Sequence, residues 1–113
     1  SSASDAFKQR CIAAGEGGTM LCLKALSPTR LVRNALYDRI AKAEAEGQND
    51  AEQLRQILGT AAAKRGIFEG DIDNGELEIG QSAAYVKEVL PTAAIMQQII
   101  LQYDETKKRL AMM

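Results

Sequence analysis

Ile67-Phe68-Glu69-Gly70-Asp71-Ile72-Asp73-Asn74-Gly75-Glu76-Leu77-Glu78-Ile79-Gly80-Gln81-Ser82-Ala83-Ala84 is the stretch on which the reading of this chain turns. An acidic turn separates Gly70 from Gly75, an apolar-acidic alternation separates Gly75 from Gly80, and Gly80-Gln81 opens an amphipathic segment. Glycine placement this particular is not that of an ordinary linker, and it reads as a piece of something larger. Asp and Asn tolerate the left-handed region and bond their own local backbone, and Gly75 supplies a positive φ at no steric cost, so the stretch is predicted to turn there.

Four chemistries come into question for it. An EF-hand loop needs carboxylates at its first, third and fifth positions, glycine at the sixth and glutamate at the twelfth. Counted from Asp71, those last three places hold Gly75, Glu76 and Ser82, so the calcium set fails. A phosphate cradle needs G-x-G-x-x-G or a P-loop with Lys-Ser/Thr, and neither spacing occurs. Gly80 still permits close backbone approach at the start of a predicted helix, whose amides favour an anion or polar ligand; a tight turn against another domain is the commoner use of such a glycine. Gln81 carries a donor and an acceptor and can orient a polar ligand, but it cannot act as a base at neutral pH. The carboxylates Asp71, Asp73, Glu76 and Glu78 lie in turn or extended sequence with no evident apolar pocket, so they are expected to be solvated.

Outward from this stretch, the C-terminal side predicts two helices, Gln81 to Leu90 and Pro91 to about Ala111, because the residue before a proline is biased away from the α region. Ile95, Met96, Ile99, Ile100 and Tyr103 form a broad apolar stripe on the second. Its plain role is core packing, and in a chain this short part of it is expected to face a missing domain. Towards the N-terminus, Ser4-Asp5 can cap a helix to about Ala14, stopped by Gly15-Glu16-Gly17-Gly18. Thr19 to Leu26 is a short apolar run, strand or helix by periodicity, that brevity and boundary glycines tilt to strand. Ser27-Pro28 predicts the start of a helix carrying Val32, Leu36, Ile40 and Ala43 on its apolar face. Gly47-Gln48-Asn49-Asp50 ends it and caps a shorter helix with Leu54, Ile57 and Leu58, and Ala61 to Arg65 add a turn or two.

The bulk properties narrow the function. The 113 residues allow one small domain with a modest core. With 46% apolar residues and only 4% aromatic, that core must be built from Leu, Ile, Val, Met and Ala, which favours helices. A net charge of −1 provides no field to draw nucleic acid or an anionic membrane. Arg30 with Arg33, and Lys107-Lys108-Arg109, are the only basic groupings and read as solvated faces or helix C-terminal charges. Cys11 and Cys22 match no zinc or disulfide framework and read as buried apolar residues of a cytoplasmic protein. No run is long enough to span a bilayer. Histidine is absent, which removes the commonest general base and the partner of Ser and Cys nucleophiles.

Four runs, in order, carry a resemblance: Ser1-Ser2-Ala3-Ser4-Asp5-Ala6-Phe7-Lys8, Leu31-Val32-Arg33-Asn34, the "EGD…G…GQ" run from Glu69 to Gln81, and Pro91-Thr92-Ala93-Ala94-Ile95. Together they span nearly the whole chain. This order resembles the C-terminal region of the flavin-dependent nitronate monooxygenases (2-nitropropane dioxygenases) and the related flavin-type enoyl-[acyl-carrier-protein] reductases. In that family a serine-rich turn enters a helix with an aromatic-Lys pair, an R-x-x-x-N run opens a long helix, and P-x-x-x-I enters the final helix.

The resemblance implies a mainly α chain with a short strand, the helical lid or C-terminal segment of an FMN-binding (β/α)8 barrel enzyme. Its parts would be a helical lid-like region (1–66), the Gly-rich acidic loop (67–82) and C-terminal helices (83–113). The resemblance implies FMN and a small-molecule substrate in the parent protein, with the flavin glycine loops and catalytic histidine lying in a barrel portion upstream. Of the present residues only Gly80 and Gln81 receive a ligand-facing role from it. Val32, Leu36 and Ile40 are expected to build the internal core, with the Gly70 to Gly80 loop against the missing barrel. A chain that does not begin with Met fits a partial protein inactive alone. The rival is a freestanding helical module, without catalysis, that self-associates through the Ile95 to Tyr103 stripe.

Overall fold

The computed structural model describes residues 1–113. In order it has α1 (Asp5–Ala13), β1 (Thr19–Cys22), β2 (Thr29–Val32), α2 (Ala35–Ala45), α3 (Ala51–Leu58), a π-helical turn (Lys64–Phe68), a 3₁₀ turn (Gln81–Tyr85) and α4 (Thr92–Ala111). It is mainly helical with a two-stranded sheet.

Local chemistry accounts for the helix starts. Ser4 accepts the Phe7 N–H at its side chain and so caps α1. Asp50 and Gln53 form a reciprocal capping box on α3. Asn34 caps α2 by accepting the Tyr37 N–H at 2.9 Å. The helix expected from Ser27-Pro28 therefore begins seven residues later, and the intervening Thr29–Val32 is a strand. Its antiparallel register sets Thr19 opposite Val32 and Cys22 opposite Thr29. Periodicity did not separate these outcomes because Val32 and Leu36, four apart, suit a helix face equally well. Pairing with β1 satisfies the Thr29–Val32 backbone and buries Leu31 and Val32, and this decides it.

The far edge of β2 is occupied by the Gly-rich stretch. Val32 N donates to Leu77 O at 2.9 Å, Ile79 N donates to Arg30 O at 3.3 Å, and Leu31 bridges Glu78. Leu77 is fully buried by this docking. The core lies between the hairpin and the pair α2 and α3, built from Cys22, Leu23, Leu31, Leu36, Ile40 and Leu54. Val32, Leu36 and Ile40 are all buried, as the sequence pattern predicts.

The loop is pinned to α2 by one side chain. Asn34 Nδ2 donates to Ile72 O (3.0 Å) and Gly75 O (2.8 Å) while its Oδ1 holds the cap. Gly75 does not have the positive φ expected of it; the loop's positive-φ glycine is Gly70. Nor do Asp71 and Asn74 enter the left-handed region, although Asp71 does accept the Asn74 N–H (3.1 Å) as an Asx turn. Gly75 is required for contact: a Cβ there would collide with the backbone of Gly66, and one on Gly66 would come within 2.7 Å of Leu77 Cδ2. The two glycines pack face to face and let the loop close on the π-helical turn.

Beyond the sheet the chain changes character. Gln81–Tyr85 is one 3₁₀ turn, and Val86 to Leu90 are not helical, so the helix expected from Gln81 to Leu90 does not form. Val86, Lys87, Glu88 and Val89 are exposed and find no surface that would repay a longer helix. The helix after Pro91 does form, with no buried residue along its 20. Ile95, Met96, Ile99, Ile100, Tyr103 and Leu110 share one exposed face of α4. The radius of gyration is 17.5 Å, against about 13 Å for a compact chain of this length.

Candidate functional site

Gly80 and Gln81 sit where the docked strand leaves the sheet. Ile79 is the last residue held by β2, Gly80 follows in extended conformation (φ −78, ψ 170), and its carbonyl accepts the Ala83 N–H at 3.1 Å. No neighbour crowds Gly80; the nearest atom to a Cβ there would be Ser82 Oγ at 3.9 Å. The close backbone approach expected of it is therefore absent within this chain. Its φ is also open to any residue.

Adjacent in sequence, the two residues face separate hollows. Gly80 lines one of about 550 Å³ with Pro28, Arg30 and Glu78. Gln81 lines another of about 600 Å³ with Glu16, Thr19, Ser82, Tyr85 and Lys87. The second wall is rich in hydrogen-bonding groups: hydroxyls, the Gln81 amide, one ammonium and one carboxylate. Such a set can orient a polar or anionic group. The five-residue 3₁₀ turn that follows Gly80 is too short to add a helix dipole of consequence.

Three titratable groups depart from their ordinary behaviour. Glu76 is pushed up to about 7, first by burial and then by the hydrogen bond and negative charge of Glu78. The expectation that these carboxylates are solvated fails for Glu76. Strand pairing through Leu77 places Glu76 and Glu78 on one face, and the Gly66–Gly75 contact draws Glu76 inward, its N–H bonded to Ala62 O at 2.9 Å. Burial pushes the Cys22 thiol up to about 11, assisted by the carboxylates of Glu44 and Glu76. Burial also raises Cys11 against the opposing charge of Arg10. Both thiols are free and buried, and neither is a ready nucleophile.

Sequence reasoning missed Arg30 and Asn34 as parts of the site's frame. Arg30 is on a strand rather than on a solvated helix face, with Nη1 donating to Thr19 O (2.9 Å) and Thr19 Oγ1 (3.3 Å). Glu76-Leu77-Glu78-Ile79 carried the missing signal, since an alternation of that period is a strand pattern with one face turned inward.

No protein-family model matches the chain, and no curated protein matches it. Solved structures do. The structure of FabK from Thermotoga maritima superposes with a TM-score of 0.84 at 25% identity, covering 96% of this chain. A methionine-to-alanine mutant of the same FabK gives 0.75 at 22% identity and again covers 96%. This chain spans 34% of the first FabK chain and 31% of the second. It therefore has the fold of about a third of a FabK chain, which supports the family resemblance carried by its four sequence runs. No helix is long and apolar enough to cross a membrane.

Proposed function

We propose that this chain is the substrate-side, lid-forming part of an FMN-dependent oxidoreductase, inactive by itself. One observation carries the reading: 96% of the chain superposes on about a third of FabK, a flavin-dependent enzyme of the group its motifs resemble. The partner is the barrel portion of the same protein. That portion would hold FMN and the catalytic histidine, and the present chain would supply one wall of the substrate cavity through Gly80 and Gln81.

The residues present do not fit the flavin phosphate themselves. Gly75 is covered by Gly66, and Gly80 is followed by a single short turn with no glycine cradle. Their chemistry suits substrate contact instead, because Gln81, Ser82 and Thr19 can bind and orient a polar group. Within the family the finer reading is a nitronate monooxygenase, with an enoyl-[acyl-carrier-protein] reductase as the alternative.

A second reading is favoured by the bare apolar face of α4, namely a noncatalytic module that self-associates through Ile95 to Tyr103. One experiment separates the two. The isolated 113-residue chain, purified beside the parent protein that contains it, is expected to show no flavin absorbance and no nitronate turnover, while the parent shows both. Stoichiometric FMN in the isolated chain would sink the lid reading. A parent without flavin, together with a discrete dimer of the chain in solution, would support the module.

A further inference from the structure

The hollow lined by Gln81 has two walls from distant parts of the chain: Glu16, Gly17 and Thr19 leading into β1, and Gln81 to Lys87 beyond the sheet. No hydrogen bond runs directly between them. Within the sheet that carries both, Arg30 touches each side. The Arg30 backbone carbonyl accepts the Ile79 N–H at 3.3 Å, two residues before Gln81. Its guanidinium reaches diagonally across the hairpin, past its register partner Leu21, to the carbonyl and hydroxyl of Thr19. Thr19 is the one buried polar side chain, so its wall is set from within the fold rather than by solvent.

We infer that Arg30 is the positioning residue of the Gly80–Gln81 site, fixing the Thr19 wall against the turn that presents Gln81. This rests on the reading of Gln81 as ligand-facing. Arg30 does not line the Gln81 hollow; it lines the neighbouring one with Gly80, and acts by clamping what lies on either side. The planar guanidinium allows one nitrogen to serve two acceptors while the long stem lies along the sheet, a geometry lysine reproduces only in part. Asn34, four residues on, acts alike on the earlier part of the loop through Ile72 and Gly75. The pair gives the Arg30-x-x-x-Asn34 spacing a physical content: two clasps on one loop.

The test uses the full parent protein with ethylnitronate and crotonyl-coenzyme A as probes. For whichever probe is turned over, Arg30→Ala is expected to raise KM about tenfold with a much smaller change in kcat, and Arg30→Lys to restore part of the loss. Gln81→Ala should raise KM as well, and the double variant should be no worse than the poorer single, because both remove one arrangement. Amide exchange at Thr19 should quicken about tenfold in Arg30→Ala and less in Arg30→Lys, while Ile79, whose acceptor is the residue-30 backbone carbonyl, should keep its protection. An unchanged KM in Arg30→Ala, no recovery with lysine, or effects that multiply with Gln81→Ala would overturn the assignment. If the wild-type parent carries no flavin and turns over neither probe, the flavoenzyme reading fails separately. The Thr19 exchange rate then decides the clamp: faster exchange in Arg30→Ala supports it and unchanged exchange ends it.

Discussion

Helices α2 and α4 are both amphipathic, yet they meet opposite fates. α2 buries Leu36, Ile40 and Ala43 against the hairpin and α3, whereas α4 carries a wider stripe and buries nothing. The difference lies in what the chain offers each helix. Short connections fold the hairpin and α3 back onto α2, while the Val86 to Leu90 segment leads to an α4 that meets the rest of the chain only at its start, where Ile95 lines an apolar hollow with Phe7 and Ile12 of α1. A stripe reports that a helix is meant to be covered, and it does not report by what. The same periodicity thus marks an internal core in α2 and an uncovered face in α4.

The contrast can be broken most directly by truncation. Leu54→Ala, in the fully buried site beneath α2, should cost roughly 2–5 kcal/mol in denaturant unfolding of the chain. Ile99→Ala on α4 should stay within about 0.5 kcal/mol in the same assay. Equal losses would mean that α4 is packed in solution. In the parent protein Ile99→Ala is expected to become destabilising, if the barrel portion covers this face.

The loop between these two regions sharpens the comparison. Asn34→Ala removes a helix cap and leaves two carbonyls without their donor, a loss of roughly 2 kcal/mol or more. Asn34→Ser keeps a capping oxygen and loses the donors, so it should fall between wild type and alanine. Gly75→Ala must push the Gly66 backbone aside and should cost about 1–3 kcal/mol, while Gly80→Ala should be nearly neutral. A neutral Gly75→Ala would show that the two glycines do not pack as described.

A further effect is expected from pH. The folded-state pKa of Glu76 is raised from 4.5 to about 7, so its contribution is fully present below pH 4.5 and is lost as pH rises through about 7. Unfolding midpoints should decline across that window, and Glu76→Gln should flatten the decline. A flat wild-type profile there would place Glu76 in solvent.

Much of the helical frame was legible in the residues. Ser4, Asp50 and Pro91 mark where helices begin because capping and proline chemistry act over three or four neighbours. Thr29–Val32 and Val86–Leu90 depart from their helical patterns for the opposite reason: whether they become helix depends on partners far away in sequence. Gly80 and Gln81 were singled out through their place in an ordered set of motifs, and within this chain nothing crowds Gly80. Arg30, Asn34 and Glu76 were missed because their roles exist only once the loop docks on β2.

Taken alone, the sequence determined where the helices after Ser4, Asp50 and Pro91 start, which stripes are apolar, and that the stretch from Gly70 to Gly80 is a constrained loop, since these follow from near-neighbour sterics and hydrogen bonding. Tertiary structure alone decided that the loop adds an edge to the hairpin and that Gly75 serves contact rather than a turn. It also decided that Glu76 is drawn inward to hold a proton and that Arg30 joins two walls of one hollow. Each of these depends on segments nine or more residues apart being brought within hydrogen-bond or van der Waals distance, and no local propensity encodes that distance.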